Sequence, residues 1–310
     1  MQKNVQIGQT TVYSTPLGLG TNTVGGHNLF PNLNDEVGKE VVQAALKNSI
    51  TMLDTAFAYG LGRSEELIGE VLKDFDRNKV IIATKAAHDP AKDGAFNNTP
   101  EFLTRSVEEA LVRLQTNYID IFYIHFPDET TPKNEAVAAL QKLKKAGKIK
   151  AIGVSNFSLA QIKEANLDGF VDIVEDEYSL IHRGAEKELL PYLQEHNISF
   201  VPYFPLASGL LTGKYEKDVT FPADDLRSKK PDFQGERYKQ ILEKVDQLKL
   251  IAADYNATVA EIVLAWYIKN PLVAVVIPGA KKPEQVKANA KAMAITLTNE
   301  DYQKIDTIFR

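Results

Sequence analysis

The chain has no cysteine, one tryptophan and three methionines among its 310 residues. Without cysteine there is no disulfide framework, no thiolate ligand and no cysteine nucleophile, and a reducing compartment is the natural setting. No stretch approaches the ~18 consecutive apolar residues of a membrane span, and the first nine residues lack the apolar centre of a secretory leader. A cytoplasmic location with no membrane partner is therefore expected. Basic residues are not in excess either: 36 Lys and Arg face 41 Asp and Glu, a formal net charge of -5. That balance speaks against a phosphate backbone as partner, so no nucleic acid is expected. The five histidines are scattered, supply no recognisable ligand set, and predict no metal.

What is present is a repeating pattern. Short apolar runs beginning near Leu17, Met52, Val80, Ile119, Ile149, Val171, Ile198 and Val273 alternate with stretches of helical period. Several runs are too apolar to have a solvated face, as residues 80–84 show, and they read as buried parallel strands. Helix starts are marked by Asn34-Asp35-Glu36, Thr99-Pro100-Glu101 and Thr131-Pro132, with proline suited to a first helical position. Eight such β/α pairs, with no G-x-G-x-x-G after the first strand, predict a single α/β domain over residues 1–310, a (β/α)8 TIM barrel rather than a doubly wound sheet. Residues 5–7 and 11–13 flank Gly8-Gln9 and predict an N-terminal β-hairpin covering the bottom of the barrel. About seventy residues separate the seventh and eighth strands, charge-rich over 218–237, and form a long insertion at the face where such barrels carry ligand contacts.

Candidate chemistry lies where strands end. Strand two runs into Asp54-Thr55-Ala56-Phe57-Ala58-Tyr59-Gly60, strand three ends in Thr84-Lys85, and strand four in Tyr123-Ile124-His125-Phe126-Pro127-Asp128. Singly, each residue has an ordinary reading: Asp54 a helix cap, Lys85 a surface charge, His125 a core histidine, Tyr59 packing. In a parallel barrel, however, all four emerge on one face. A phenol keeps its proton at neutral pH and can give it to a developing alkoxide. A cationic Lys85 favours the phenolate left behind, Asp54 keeps Lys85 charged, and His125 can add a hydrogen bond. Such a set suits protonation of a carbonyl oxygen while hydride reaches its carbon, and the hydride has to come from a nicotinamide cofactor.

These segments, together with Gly153-Val154-Ser155-Asn156-Phe157 and residues 205–214, resemble in order and spacing those of the aldo-keto reductases, over nearly the whole chain. Within that family the sequence is most similar to bacterial members encoded with inositol-catabolism genes. The resemblance implies an enzyme that reduces an aldehyde or ketone with NADP(H) bound across the C-terminal mouth of the barrel. It implies that Ser155 and Asn156 hold the nicotinamide carboxamide and that Tyr203 stacks on the ring. It also implies that Pro205, Leu206, Ser208, Gly209, Leu211 and Lys214 run along the pyrophosphate, and that Gly279, Lys281, Lys282, Gln285 and Asn289 clamp the adenosine. Gln285 stands where many relatives have arginine, so the two lysines are left to favour the 2′-phosphate, as point charges rather than a planar fork. They also read as solvated loop charges.

Glu175 stands where the family usually has a glutamine beside the carboxamide. An ionised glutamate only accepts hydrogen bonds, and near the ring it is expected to favour the oxidised cofactor. Alternatively it turns away or is protonated. His27, Asn28, Phe57, Phe126 and residues 225–237 are expected around a pocket for a small carbonyl, sugar or polyol-type substrate, and Gly25-Gly26 forms a permissive loop rather than a phosphate cradle. By analogy with the family, the chain is expected to be a monomer. Two further readings stand beside the reductase: a cofactor-sensing protein on the same scaffold, and a metal-dependent barrel hydrolase or lyase.

Overall fold

The structure is a computed structural model and describes residues 4–217, 219–222 and 225–310. Three residues of the segment read for a leader, and Asp218, Ala223 and Asp224 of the charged stretch, thus lie outside the described residues.

The chain begins with a hairpin, β1 (Val5–Gln6) and β2 (Tyr13–Ser14), paired Val5 to Ser14 and Gln6 to Tyr13. Its turn sends Ile7 and Val12 into the bottom of the barrel, where they pack with Met52, Ile81, Ile121 and Val201. The Gly8 amide donates to Ser199 Oγ at 2.8 Å. A Cβ at Gly8 would stand 2.6 Å from the Asp172 carbonyl, so the plug seats only with glycine there.

The barrel strands are β3 (Gly18–Gly20), β4 (Met52–Asp54) and β5 (Ile81–Ala86), then, after a short hairpin of β6 (His88–Asp89) with β7 (Ala95–Phe96), β8 (Ile119–Ile124), β9 (Ile149–Ser155), β10 (Ile173–Glu177) and β11 (Ser199–Tyr203). The seven long-range strands pair parallel in the order β3, β4, β5, β8, β9, β10, β11. The expected eighth strand is reduced to single contacts. Ala274 N donates to Phe200 O at 2.8 Å on one side, and Gly18 N to Val276 O at 2.8 Å on the other, which closes the ring. Proline 278 and Gly279 leave this segment too irregular for a ladder, though Leu17 and Gly20 still bridge to Val276 and Gly279.

Helices α1 (Asp35–Lys47), α2 (Arg63–Leu72), α3 (Pro100–Arg113), α4 (Lys133–Lys145), α5 (Leu159–Ala165) and α6 (Leu189–Glu195) follow successive strands. Then α7 (Gly235–Asp254) and α8 (Val259–Lys269) complete the insertion, and α9 (Pro283–Lys291) and α10 (Asn299–Ile308) end the chain. Asn34 and Thr99 cap α1 and α3 as read, and Pro100 lies in the first turn of α3. Pro132 is itself the N-cap of α4 rather than its first residue; the Lys133 amide is met instead by Glu164 Oε1 at 2.8 Å.

Alternation along each strand positions the site. On β5, Ile82 and Thr84 face the helices, whereas Ile81 and Ala83 face the barrel axis, so Lys85 continues the inward row. The same parity brings Asp54 after Met52, His125 after Ile121 and Tyr123, Glu175 after Ile173, and Tyr203 after Val201. Gly153 on β9 makes room for the Tyr123 ring, which would lie 2.2 Å from a Cβ there.

Candidate active site

Inward rows bury the floor of the C-terminal mouth: Lys85 is 1% exposed, Asp54 2%, Glu175 3% and His125 8%. Lys85 Nζ donates to Asp54 Oδ1 at 2.6 Å and to the Thr55 carbonyl at 3.0 Å, and lies 3.3 Å from Glu175 Oε2. The ammonium is also 5.8 Å from the centroid of the Tyr59 ring and 5.4 Å from that of Tyr123. Burial works against its charge, but Asp54 and Glu175 outweigh burial and hold it above the ordinary lysine range.

Tyr59 sits in the loop after β4, whose shape is fixed from two sides. Ser64, buried, accepts from Thr55 Oγ1 at 2.9 Å and lies 3.2 Å from Thr21 Oγ1. Asn28 reaches over from the loop after β3, donating to the Ala58 carbonyl at 3.0 Å and accepting from the Gly60 amide at 2.8 Å. Gly60 has φ +68°, and a Cβ on it would fall 2.0 Å from the Gly25 carbonyl. The Gly25-Gly26 segment is therefore a close-packing loop. Burial raises the Tyr59 phenol above its ordinary range, with Lys85 pulling the other way.

His125 follows β8, its ring 6.3 Å from that of Tyr59 in an edge arrangement. Burial and, next, Lys85 hold it well below the ordinary imidazole range, so it is neutral. Phe126 stacks on it at 4.6 Å and on Phe96 at 4.8 Å. His88 completes this wall, 6.0 Å from His125 and 5.0 Å from Phe96. His88 and Phe96 come from the β6–β7 hairpin, which the sequence reading missed although Asp93-Gly94, both at positive φ, is a hairpin signal.

Two other expected pocket residues make contacts of their own. His27 Nε2 is 2.7 Å from Asp35, which also binds Arg63, so it belongs to a rim ion cluster. Phe57 packs against the Arg113 guanidinium at 5.0 Å, and not among the rings around His125.

Around the mouth, Asn156 donates to the His125 carbonyl at 3.0 Å and accepts from Tyr203 Oη at 2.9 Å, which ties β8, β9 and β11 together beside Ser155. After β11 the backbone takes positive φ at Phe204, Ala207, Ser208 and Gly209. Tyr267 Oη anchors this turn at the Pro205 carbonyl, 3.0 Å away. Lys230, from the 225–237 stretch expected near the pocket, donates to Ser208 Oγ at 2.9 Å. Leu211 is a wholly buried core side chain, leaving only its backbone for a ligand. Gln285 turns back and accepts from the amides of Lys281 and Lys282 at 2.7 and 3.2 Å, capping α9 rather than reaching outward. Asn289 is buried on α9, and Gly279 lies beside Gly20.

A parallel barrel with an Asp, Tyr, Lys and His converging at its C-terminal mouth defines a class of oxidoreductase. Comparison narrows it. The chain matches the Aldo/keto reductase family over residues 16–310. It is 37% identical over 305 residues to the aldo-keto reductase YhdN of Bacillus subtilis, covering 97% of this chain and 92% of that one. It is 32% identical over 314 residues to an NADH-specific methylglyoxal reductase of Escherichia coli, covering 96% of each. The solved glycerol dehydrogenase AKR11B4 of Gluconobacter oxydans superposes with a TM-score of 0.90 at 34% identity, covering 99% of this chain and 95% of that one. The protein belongs to the aldo/keto reductase family.

Among the described residues, no helix is long and apolar enough to cross a membrane, and no three His, Asp or Glu gather as a metal site.

Proposed function

We propose that the protein reduces a small aldehyde or ketone to the alcohol with NADPH, Tyr59 giving the proton. The observation that carries this reading is the Lys85 ammonium, held by Asp54 at 2.6 Å and placed 5.8 Å from the centre of the Tyr59 ring. A buried phenol keeps its proton until a developing alkoxide demands it, and the fixed cation beside the ring then favours the phenolate. Neutral His125 can hydrogen-bond the same oxygen without competing as an acid. The nicotinamide cofactor supplies the hydride.

Residues around the mouth fit such a cofactor. Asn156 and Ser155 border the floor, and Tyr203, half-buried at the end of β11, offers a ring beside them. Positive φ values at Phe204 and again at Ala207, Ser208 and Gly209 form a concave backbone turn of the kind that receives phosphate, with Lys214 and Lys230 at its edge. Lys281 and Lys282 precede the nine-residue helix α9, whose N-terminus adds partial positive charge, and this supports NADP(H) over NAD(H). The NADH-specific relative from E. coli makes that preference a matter for these two lysines rather than for the family.

His88, Phe96 and Phe126 give the pocket an aromatic wall with one polar ring, suited to a sugar, polyol-derived ketone or reactive aldehyde. A place among the inositol-associated members agrees with that chemistry. The test is consumption of NADPH and of NADH against a panel of aldehydes, ketones and sugar-like ketones. Turnover of a panel member supports the reading. Tight NADPH binding with no turnover would instead favour a cofactor-sensing role.

A further inference from the structure

Glu175 is a second carboxylate on the Lys85 cation, and the four residues read as catalytic do not account for it. It projects inward from β10 at 3% exposure, and its Oε2 lies 3.3 Å from Lys85 Nζ. That contact is close in distance yet poorly directed, and no hydrogen-bond donor meets Oε2. Asp54 takes the well-directed bond on Oδ1, and its other oxygen, Oδ2, is likewise buried without a donor. The two carboxyl groups are within hydrogen-bonding reach of each other. Two acceptor-only oxygens facing one another away from water repel, and one proton between them satisfies both.

We infer that Glu175 works as a neutral carboxylic acid, sharing one proton with Asp54, so that the Lys85 charge is balanced by a single carboxylate and is left free to support the Tyr59 phenolate. The groups facing Glu175 are Asp54 on β4, Lys85 on β5, Tyr123 on β8, Ser155 on β9, Tyr203 on β11 and Tyr59 above. Tyr59, Tyr123 and Tyr203 are all pushed above the ordinary phenol range, first by burial, and carry no charge at neutral pH. The inner chamber of Asp54, Glu175 and Lys85 is therefore neutral with one shared proton and carries one negative charge without it. Glu175 itself is held well above the ordinary carboxylate range, by burial and then by Asp54. An ionised Glu175 opposes phenolate formation directly, since its charge raises the Tyr59 phenol further. Carbonyl reduction then depends on a proton that the reaction itself never transfers. Glu175 is thus a positioning residue, acting through Lys85, and it does not favour the oxidised cofactor at neutral pH by its charge.

The dependence of Tyr59 on this proton rests on the reductase reading; the shared proton does not, and two measurements separate them. The first is an infrared difference spectrum of the whole protein, wild type against Glu175→Gln. A carboxylic-acid C=O band present at pH 7 in the wild type, absent from the variant and lost on raising the pH supports the proposal. A carboxylate band in its place overturns it, whatever the enzyme does. The second is the pH profile of kcat for a turned-over carbonyl. The wild-type rate should fall about tenfold per pH unit above the apparent pKa of the pair, and Glu175→Gln, an isosteric neutral group, should lose that alkaline limb whatever its rate at neutral pH. Because a buried variant can misfold, Glu175→Gln is first compared with wild type by circular dichroism and NADPH binding. If it fails these, solvent-isotope and pH titration of the wild-type C=O band alone decides: no titrating acid band overturns the proposal. Superimposable pH profiles in the two folded proteins overturn it as well.

Discussion

The amide of Gly60 donates to the side-chain oxygen of Asn28 at 2.8 Å, and Asn28 in turn donates to the carbonyl of Ala58 at 3.0 Å. One side chain from the loop after β3 therefore holds both neighbours of Tyr59. Asn28→Ala removes both bonds from an exposed position, so little stability is at stake, but the phenol loses its fixed placement. The expected result is a kcat about tenfold lower with an unchanged melting temperature and NADPH affinity. A fall in melting temperature that matches the fall in rate would assign Asn28 to folding instead.

Tyr59→Phe keeps the ring beside Lys85 and deletes the proton. Loss of a positioned general acid costs roughly 10²–10⁴ in rate. NADPH binding, read by fluorescence, should stay within about twofold. A variant that retains most of its turnover would move the acid role to another group, with His125 next in line by its 6.3 Å ring separation.

Removing the cation tests the buried charge balance. Lys85→Met leaves Asp54 and Glu175 buried with no counter-charge, and breaking such a pair from one side costs about 3–5 kcal/mol. The carboxyl pKa values then stand above their unfolded values. Stability is accordingly full below the unfolded carboxylate range and is lost as pH rises through the folded values. Urea midpoints of the variant should therefore fall between pH 5 and pH 8 relative to wild type. A constant difference across that range would show that the carboxyl groups stay ionised without Lys85.

Much of this was legible in the sequence because a strand alternates strictly. Met52 and Asp54, or Ile81, Ala83 and Lys85, share a face by parity alone, so once the parallel barrel is accepted Asp54, Lys85 and His125 must meet, with Tyr59 following in the loop after β4. Glu175 obeys the same parity, and its place on the inner row was readable. Its contact with Lys85 was not, because that contact depends on the diameter of the closed barrel and crosses from β10 to β5. The pairing of His88 with Phe126 escaped because two-residue strands carry no period, and the hairpin was signalled only by Asp93-Gly94. The stretch 225–237 was placed at the mouth, but the contact of Lys230 was not, because where a long insertion folds back is set by tertiary packing, here against Ser208 and the Phe204 ring, 4.8 Å from its ammonium.

His125 gives a pH test of stability. Its pKa is depressed in the folded state, first by burial and then by Lys85. A depressed group contributes nothing unfavourable above its unfolded pKa and destabilises as pH falls below it, because the unfolded chain takes the proton first. Below an unfolded value of about 6.5 the slope for one proton is about 1.4 kcal/mol per pH unit. Groups common to both proteins cancel in the difference between wild type and His125→Gln, so that difference from pH 7 to pH 5 isolates the imidazole. The wild type should lose more stability over that interval. Parallel curves would place His125 in a solvated, chargeable state.

On the proposed reading, cofactor choice falls to Lys281 and Lys282. Gln285 is occupied in capping α9, accepting from the backbone of both lysines, and so has no free oxygen aimed outward to read the ribose. It does, however, fix the backbone that presents the two ammonium groups at the N-terminus of a helix, where an anion is doubly favoured. Lys281 also lies 5.2 Å from the Phe30 ring of the loop after β3. Each exposed cation on a phosphate is worth about 1 kcal/mol, so Lys281→Ala and Lys282→Ala should each weaken NADPH binding roughly fivefold and leave NADH nearly unaffected. Together they should erase most of the preference, and the loss should shrink at high salt. Equal weakening of both cofactors by the double variant would instead place the lysines on the pyrophosphate or on the fold of the loop, and would leave the choice between NADPH and NADH to residues elsewhere on the mouth.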